Sequence, residues 1–551
     1  MRGDSYVNQH RVLSRRSLLR GAGAMSLAAA AAPLVAACGS GAGGGGDVAA
    51  NARLKLPTYV PFAGVKPDLP FGDNLLPGFY GYPADPAAAV TGKPGEGAGK
   101  VDILVNTFTP VPPAPGSNKY WQALNERVGA ELAFNIVPDA DYGIKLSTTL
   151  TGGDLPDLVM LQSWTPNLPA VLKAKFADLT PYLSGDAVKE YPFLANIPEF
   201  SWRPMVANGG IYGLPTPRAG IGNVMFTRDD LIAQRSLNPA PKSFEEFVEL
   251  CEGLTDAKGG RWALGDTGVG GGGALMFALT MAGAPNGWAV KGGKFTNAVE
   301  TDSYTRALEA VASMVKRGLF HPDAFSATFQ QGRDWFGTGK IALKTDGYAA
   351  WDILLGTYPG IDVGAMAAPA YDGGGKSRHF TGPGSFAVTG VKKGDEARIK
   401  QLLSIANWMA APFGTAEHLF RKFGVEGVDY TLQNGVPTPT KQGETDVKIP
   451  MNYLIDQPPV LGPGKKSVVD KQYAFHKQVA PLLVEDPTVG LYSTAQAAKG
   501  SALSKILSGA LSEIVRGNKP ASDWSGIVRD WRRSGGDQVR KEFEAAYAQQ
   551  H

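Results

Sequence analysis

The chain has 551 residues, 54 Lys+Arg against 51 Asp+Glu, a formal net charge of +3 and only two cysteines, Cys38 and Cys251. That length buries a large core, usually divided between domains, and two cysteines exclude a disulfide-rich scaffold. Arg2, Arg11, Arg15, Arg16, Arg20 and Asp4 all precede Cys38, so 49 basic against 50 acidic groups remain beyond it; no strong field there invites nucleic acid.

Ser14-Arg15-Arg16-Ser17-Leu18-Leu19-Arg20 is a twin-arginine pattern, followed by an apolar run from Ala22 to Ala37. The run is too short and too Ala-rich for a membrane span and fits a cleavable export signal over 1–37. It ends Leu34-Val35-Ala36-Ala37-Cys38-Gly39, small residues before a Cys, which resembles a bacterial lipobox in which Cys38 takes the lipid. Gly39 to Gly46 then reads as a flexible tether that holds a globular body off the membrane. With Cys38 lipidated, Cys251 has no partner. It lies in the helical pattern Phe244–Leu254 and reads as a small core residue.

Residues 49–99, rich in Pro, Gly and aromatics (Tyr59, Phe62, Phe71, Phe79, Tyr80, Tyr82), have little periodicity. They are expected to form an irregular arm on the body with its aromatics docked, so that anchor, tether and arm together span 38–99. Val101–Val105 opens the body as a short strand. Ser117 or Asn118 can cap a helix over Lys119–Val128, with Trp121, Leu124 and Val128 on one face. Leu132–Val137 is a second strand, Asp141 can cap a helix containing Ile144, Leu146 and Leu150, and Asp157–Leu161 is a third strand. Alternating strands and helices with short joints predict a parallel α/β lobe. Ligands meet such lobes at the carboxyl ends of strands, here Thr107 and Phe108 in one loop and Gln162, Ser163 and Trp164 in another.

Gly209–Leu231 is punctuated by Gly and Pro around two short apolar runs, which forbids a long helix. It reads as a crossover between two lobes, with Thr216 and Arg218 at the mouth of the cleft. Ser243-Phe244-Glu245-Glu246 is a capping box before an amphipathic helix, and Trp262–Leu264 a buried strand. Gly268–Gly273 matches G-x-G-x-x-G, but no opening strand–helix–strand unit surrounds it, so a loop at a helix N-terminus lining the cleft is the better reading than a dinucleotide site. Helices are predicted over Thr305–Arg317, Phe329–Phe336, Asp395–Met409, Gly414–Phe423, Val479–Leu483, Ala502–Ile514, Ile527–Trp531 and Val539–Tyr547. Strands are predicted at Ile341–Leu343 and Phe386–Val388, and Val363–Pro369 is expected to be the second crossover.

Several pieces, in this order, resemble one family: Leu155-Pro156-Asp157-Leu158, Ile211-Tyr212-Gly213-Leu214-Pro215, Phe226-Thr227-Arg228-Asp229-Asp230-Leu231, Pro241 to Phe247, Phe336-Gly337-Thr338-Gly339-Lys340-Ile341-Ala342-Leu343, Val425 to Tyr430, and Gly535-Gly536-Asp537 with Ala545-Ala546-Tyr547. With the lipobox, they are similar to the bacterial extracellular solute-binding lipoproteins of ABC importers, the large sugar-binding type. The likeness covers roughly Val101 to Tyr547, and the long aromatic arm before it is a departure. The resemblance implies a two-lobed α/β fold of the periplasmic-binding-protein type (class II) with hinge crossovers. Lobe 1 is expected over 100–215 and 370–435, lobe 2 over 222–363 and 436–551. It also implies a carbohydrate ligand, ABC permease transmembrane subunits as partners, membrane attachment through the lipid at the extracytoplasmic face, and a monomer.

A sugar presents apolar C–H faces and a ring of hydroxyls, so its binder needs aromatic platforms and planar polar side chains. Aromatics beside Gly, Pro or polar residues at strand ends are the candidates: Trp164 with Gln162, Trp351 with Tyr348 and Asp346, and Trp202. Arg218 can take a uronate carboxylate bidentately or make a salt bridge across the crossover. Phe380, Thr381 and Ser385 can line the far wall. An enzyme would need two opposed carboxylates or a base beside an Arg. Asp346 and Asp352 lie near the proposed cleft, but any sugar binder would offer as much. No G-x-S-x-G, H-E-x-x-H or Cys/His metal spacing occurs, and His10, His321, His379, His418, His476 and His551 are scattered. No cofactor or metal is expected. The same architecture binding a peptide or other non-sugar solute is the alternative, with a secreted carbohydrate-active enzyme behind it.

Overall fold

The structure is a computed structural model that describes residues 48–550 apart from 73, 74, 164, 270, 271, 376 and 434. The export signal, Cys38 and the tether lie outside the described residues, as does Trp164. Among the described residues no helix is long and apolar enough to cross a membrane.

Two sheets organise the body. The first contains strands β1 (Lys100–Thr107), β2 (Glu131–Pro138), β3 (Leu158–Gln162), β4 (Leu214–Pro217) and, far along the chain, the return strand Ser385–Val391. The second contains β5 (Asn223–Arg228), β6 (Trp262–Leu264), β7 (Ile341–Gly347) and β8 (Val363–Met366); the return strand is therefore β9. The first sheet has the order β2-β1-β3-β9-β4, with β1, β2 and β3 parallel and β9 antiparallel to both neighbours. Every residue of β3 is buried, as expected where helices cover both faces of a parallel sheet. The second sheet has the order β8-β5-β7-β6, with β5 antiparallel to both its neighbours.

Local signals set most of these elements. The Lys119–Val128 helix starts where Asn118 accepts a hydrogen bond from the Trp121 N–H and stops at Gly129 in the left-handed region. Ser243 accepts from the Glu246 N–H at the head of Phe244–Leu254, where Cys251 is fully buried. Other expectations need correction. The helix holding Leu146 runs from Asp139 with Pro138 before it, so Asp141 is not its cap, and Ile144 is 76% exposed. The last helices include Lys466–Val479, which ends where a helix was expected to begin. Val363–Pro369 is not a crossover: its first part is β8, paired with β5.

The links between lobes lie elsewhere. β4 ends at Pro217 and β5 starts at Asn223, so the five linking residues hold the facing edges of the two sheets within about 20 Å. The chain comes back to the first sheet just before Ser385, after Phe380 and Thr381 have touched Gly222 and Ile221. It crosses a third time between Ile455, in the first core, and Leu461, in the second lobe. That switch falls later than the expected residue 436, because Ile449, Met451, Tyr453, Leu454 and Ile455 bury their apolar surface on the first lobe.

The aromatic arm touches both lobes. Val60 donates to the Ala195 carbonyl and Phe62 meets Phe193 edge-on in lobe 1. Leu69, Leu76 and Tyr80 then pack on lobe 2, where the Tyr80 hydroxyl donates to Asp470 at 2.6 Å. The Phe79 N–H donates to the Leu461 carbonyl at the third crossing, and Phe79 and Tyr82 return to lobe 1 against Phe413.

Candidate functional site

The edges that the crossovers join define the walls of a cleft. In the first sheet, register places Ala387 beside Gln162 and Ser385 beside Pro217, so the ends of β1, β3 and β4 and the start of β9 share one edge. In the second, Asn223 pairs with Gly347, so the start of β5 and the end of β7 share the edge opposite.

The first wall is aromatic. Phe108, Phe386 and Tyr453 form a triangle of rings with centroids 5.2–6.0 Å apart, spacings at which edge-to-face contacts are favourable. The Arg218 guanidinium lies over Phe386 and Tyr453, at 5.1 and 5.9 Å. Its Nη1 donates to the Pro217 carbonyl at 2.9 Å and its Nη2 to that of Asn452 at 3.5 Å. Burial pulls its pKa below the ordinary value, opposed by Asp456 at a distance, and Asp456 itself pairs with Arg421. Beyond the triangle, Asp139 Oδ1 accepts from the amides of Asn106 at 2.9 Å and Gln162 at 3.2 Å. Burial raises the Asp139 pKa, and the Asn106 bond lowers it.

The second wall is cationic. Arg333 donates from Nε to Asp346 at 3.0 Å and from Nη2 at 3.4 Å, and the Lys344 ammonium stands 3.6 Å from the same carboxylate. All three side chains are buried, so two cations share one anion. Burial depresses the Lys344 pKa, and Asp346 opposes it. Phe329 lies over both, 4.6 Å from Arg333 and 4.5 Å from Lys344, and is 50% exposed. A box of Thr328 and Gln331 starts its helix. Burial raises the Tyr453 phenol pKa, Arg218 on its own lobe and Arg333 on the other lower it, and Asp139 raises it.

Of the residues chosen from sequence, Gln162, Arg218 and Asp346 stand at these walls. Trp164 lies outside the described residues, and the remaining candidates are packed away from these walls. Trp202 is 0% exposed and its indole N–H donates to the Ile197 carbonyl, making it a core residue of lobe 1. The Thr216 hydroxyl is used on the Leu454 carbonyl and that of Ser385 on the Ala387 carbonyl. Tyr348 and Trp351 are buried in the core between the second sheet and the Lys466–Val479 helix, with Tyr348 against His476 at 4.5 Å. Phe380 is buried and offers the crossover its carbonyl rather than offering a ligand its ring.

Phe329, Arg333, Lys344, Phe386 and Tyr453 were not singled out from sequence. Phe386 carried a signal, since it is an aromatic beside a polar residue, Ser385, at the start of a predicted strand. Among the described residues, no group of three or more His, Cys, Asp or Glu could hold a metal ion.

Comparison with known proteins gives consistent matches. A family model described as bacterial extracellular solute-binding protein matches residues 112–414. Lipoprotein LipO of Bacillus subtilis strain 168 is 22% identical over 480 residues, spanning 81% of this chain and 92% of that protein. The polygalacturonan/rhamnogalacturonan-binding protein YtcQ of the same organism is 24% identical over 466 residues, spanning 79% of this chain and 89% of that protein. Among solved structures, that of alginate-binding protein AlgQ2 without calcium ion has a TM-score of 0.61 at 16% identity, covering 84% of this chain and 100% of that one. At that identity the likeness establishes the two-lobed fold.

Proposed function

The chain belongs to the family of bacterial extracellular solute-binding proteins, and from that premise we propose that it captures an oligosaccharide between its lobes and delivers it to the transmembrane subunits of an ABC importer. The observation that carries this reading is the presence of rings on both lobes, the Phe108–Phe386–Tyr453 triangle on the first and the half-exposed Phe329 on the second. Rings on both walls suit the apolar faces of pyranoses, and the planar polar groups of Arg218, Gln162 and Arg333 suit their hydroxyls. The names of YtcQ and AlgQ2, a rhamnogalacturonan and an alginate binder, support a carbohydrate.

Contacts made only when the lobes close would shift an open–closed equilibrium toward the form a permease recognises. The twin-arginine segment and Cys38 support a position at the outer face of the membrane on a lipid anchor, and LipO, a lipoprotein by name, supports it as well. Replacing Cys38 by Ala should then release the chain from membranes into the medium.

The functional test is thermal unfolding of the full chain against oligosaccharides and peptides. Ligand at about 100 times its dissociation constant adds about 2.7 kcal/mol. A shift with a glycan that is recovered intact supports the reading. A shift with peptides alone overturns the sugar, and cleaved glycan overturns the binder.

A further inference from the structure

We propose that Asp139 is the acceptor that holds the ligand's hydroxyl groups on the first lobe, so that the sugar unit seated there is a neutral, hydroxyl-bearing pyranose. The inference rests on the carbohydrate reading above and deepens it to one residue of the cleft.

Asp139 follows the last residue of β2, and β1 lies between β2 and β3. Its Oδ1 accepts from Asn106, near the end of β1, at 2.9 Å and from Gln162, the last residue of β3, at 3.2 Å. One carboxylate oxygen thus ties together the carboxyl ends of three parallel strands, the place where such sheets meet their ligands. The aromatic triangle shares this edge. Phe108 comes two residues after Asn106, and Phe386 precedes Ala387, the register partner of Gln162.

A purely structural tie needs only that one oxygen. An Asn at 139 would hold both amides through its carbonyl, whereas the carboxylate adds a second acceptor, Oδ2, to which no group among the described residues donates. It also adds a charge. Asp139 opens the helix Asp139–Gly152, and the first turn of a helix favours an anion, yet burial raises its pKa above the ordinary value. Asn106 carries a cost as well. It is 0% exposed, and with its N–H turned to Asp139 its Oδ1 has no partner among the described residues, a loss that buried polar groups normally avoid. Both amides are therefore committed to the carboxylate before any ligand arrives, which fixes the direction of Oδ2.

A sugar hydroxyl is donor and acceptor at once. Donating to Asp139 Oδ2, it can accept the second amide hydrogen of Gln162, while the C–H face of its ring lies on the aromatic triangle. Hydrogen bonds to an ionised acceptor are about twice as strong as neutral ones. A uronate carboxylate at this position has no proton to give and meets a like charge.

The test is calorimetric titration of the full chain with maltotriose, cellotriose, mannotriose, xylotriose and galactotriose, and with the trisaccharide of galacturonate. Asp139→Asn keeps an oxygen for Asn106 and Gln162 and replaces the second acceptor by a donor. Its melting temperature without ligand should match that of the wild type, while the tightest-binding neutral trisaccharide loses about tenfold or more in affinity. Asp139→Leu, which strands both amides, should lose stability as well as affinity. Gln162→Met should weaken binding about threefold or more and carries the test if Asp139→Asn does not fold. Unchanged affinity in Asp139→Asn makes the residue a structural tie and overturns the subsite, as does binding of the galacturonate trisaccharide alone; both leave the carbohydrate reading standing. Binding of no glycan overturns both.

Discussion

The Gly222 N–H donates to the Phe380 carbonyl at 3.1 Å, and a Cβ on Gly222 would stand 2.8 Å from that same oxygen. Two of the interlobe strands therefore touch backbone to backbone, and a side chain is excluded where they meet. Gly222→Ala forces these strands apart, at an expected cost of about 1–3 kcal/mol. Chemical denaturation should record that loss. Because the displaced segment leads directly into β5 and lies against the chain returning to lobe 1, ligand affinity should fall as well, whereas Gly220→Ala, with open space around its Cβ, should leave both unchanged.

Asp346 was a ligand candidate by sequence and is instead the shared counterion of Arg333 and Lys344. Replacing it by Asn leaves two buried cations with no anion. Breaking a buried pair in this way costs about 3–5 kcal/mol. The loss should appear in denaturation midpoints without ligand, which distinguishes it from a direct contact. Lys344→Met in the same chain should restore part of it, because one of the two stranded charges is then gone.

The order of elements was legible because its signals are local. Asn118, Ser243 and Asp395 each sit where a helix must begin, and each caps one. The walls of the cleft were less legible because burial is decided by partners far along the chain. Trp202 and Trp351 have the neighbours of a sugar platform, Gly, Pro or polar residues at element ends, yet Ile197 takes the indole of one and Phe226 packs edge-on to the other. Tyr453 comes from a segment without periodicity and meets Phe108 only because the chain returns to lobe 1 before its third crossing. Arg333 reads as a surface position of a helix; only the placement of that helix over β7 turns it toward Asp346.

Burial holds His379 and His476 neutral, with pKa values lowered from 6.5 to about 4, and His379 further lowers His476. The Tyr348 ring packs on His476 at 4.5 Å and the Phe475 ring on His379 at 6.0 Å. Neither nitrogen of His476 has a hydrogen-bond partner among the described residues. A histidine whose folded pKa is depressed resists protons that the unfolded chain accepts. Stability is therefore fully present above about pH 6.5, falls as pH drops toward about 4, and then levels off, with up to about 3 kcal/mol at stake per histidine. Urea midpoints between pH 7 and 4 should trace this slope, and His476→Phe should flatten it. An unchanged slope in that variant would assign the acid sensitivity elsewhere.

The arm is the departure from the family pattern, and its packing makes it part of the body rather than an appendage. Phe79 is buried, its ring 4.3 Å from that of Phe413 on one side of the cleft. Its N–H and the Pro77 carbonyl hydrogen-bond both sides of Leu461, in the third crossing. One residue away, Tyr80 binds Asp470 on lobe 2. Phe79→Ala removes a buried ring at the point where arm, first lobe and crossing meet, and should cost about 3–5 kcal/mol. Phe71→Ala, in the same arm but 70% exposed, should change stability by no more than about 0.5 kcal/mol. If the arm were merely laid on the surface, the two variants would unfold alike and hydrogen exchange across residues 60–90 would be fast in both. Slow exchange in the wild-type chain, lost in Phe79→Ala together with protection of Leu461, is the outcome expected of a strap that joins the two lobes.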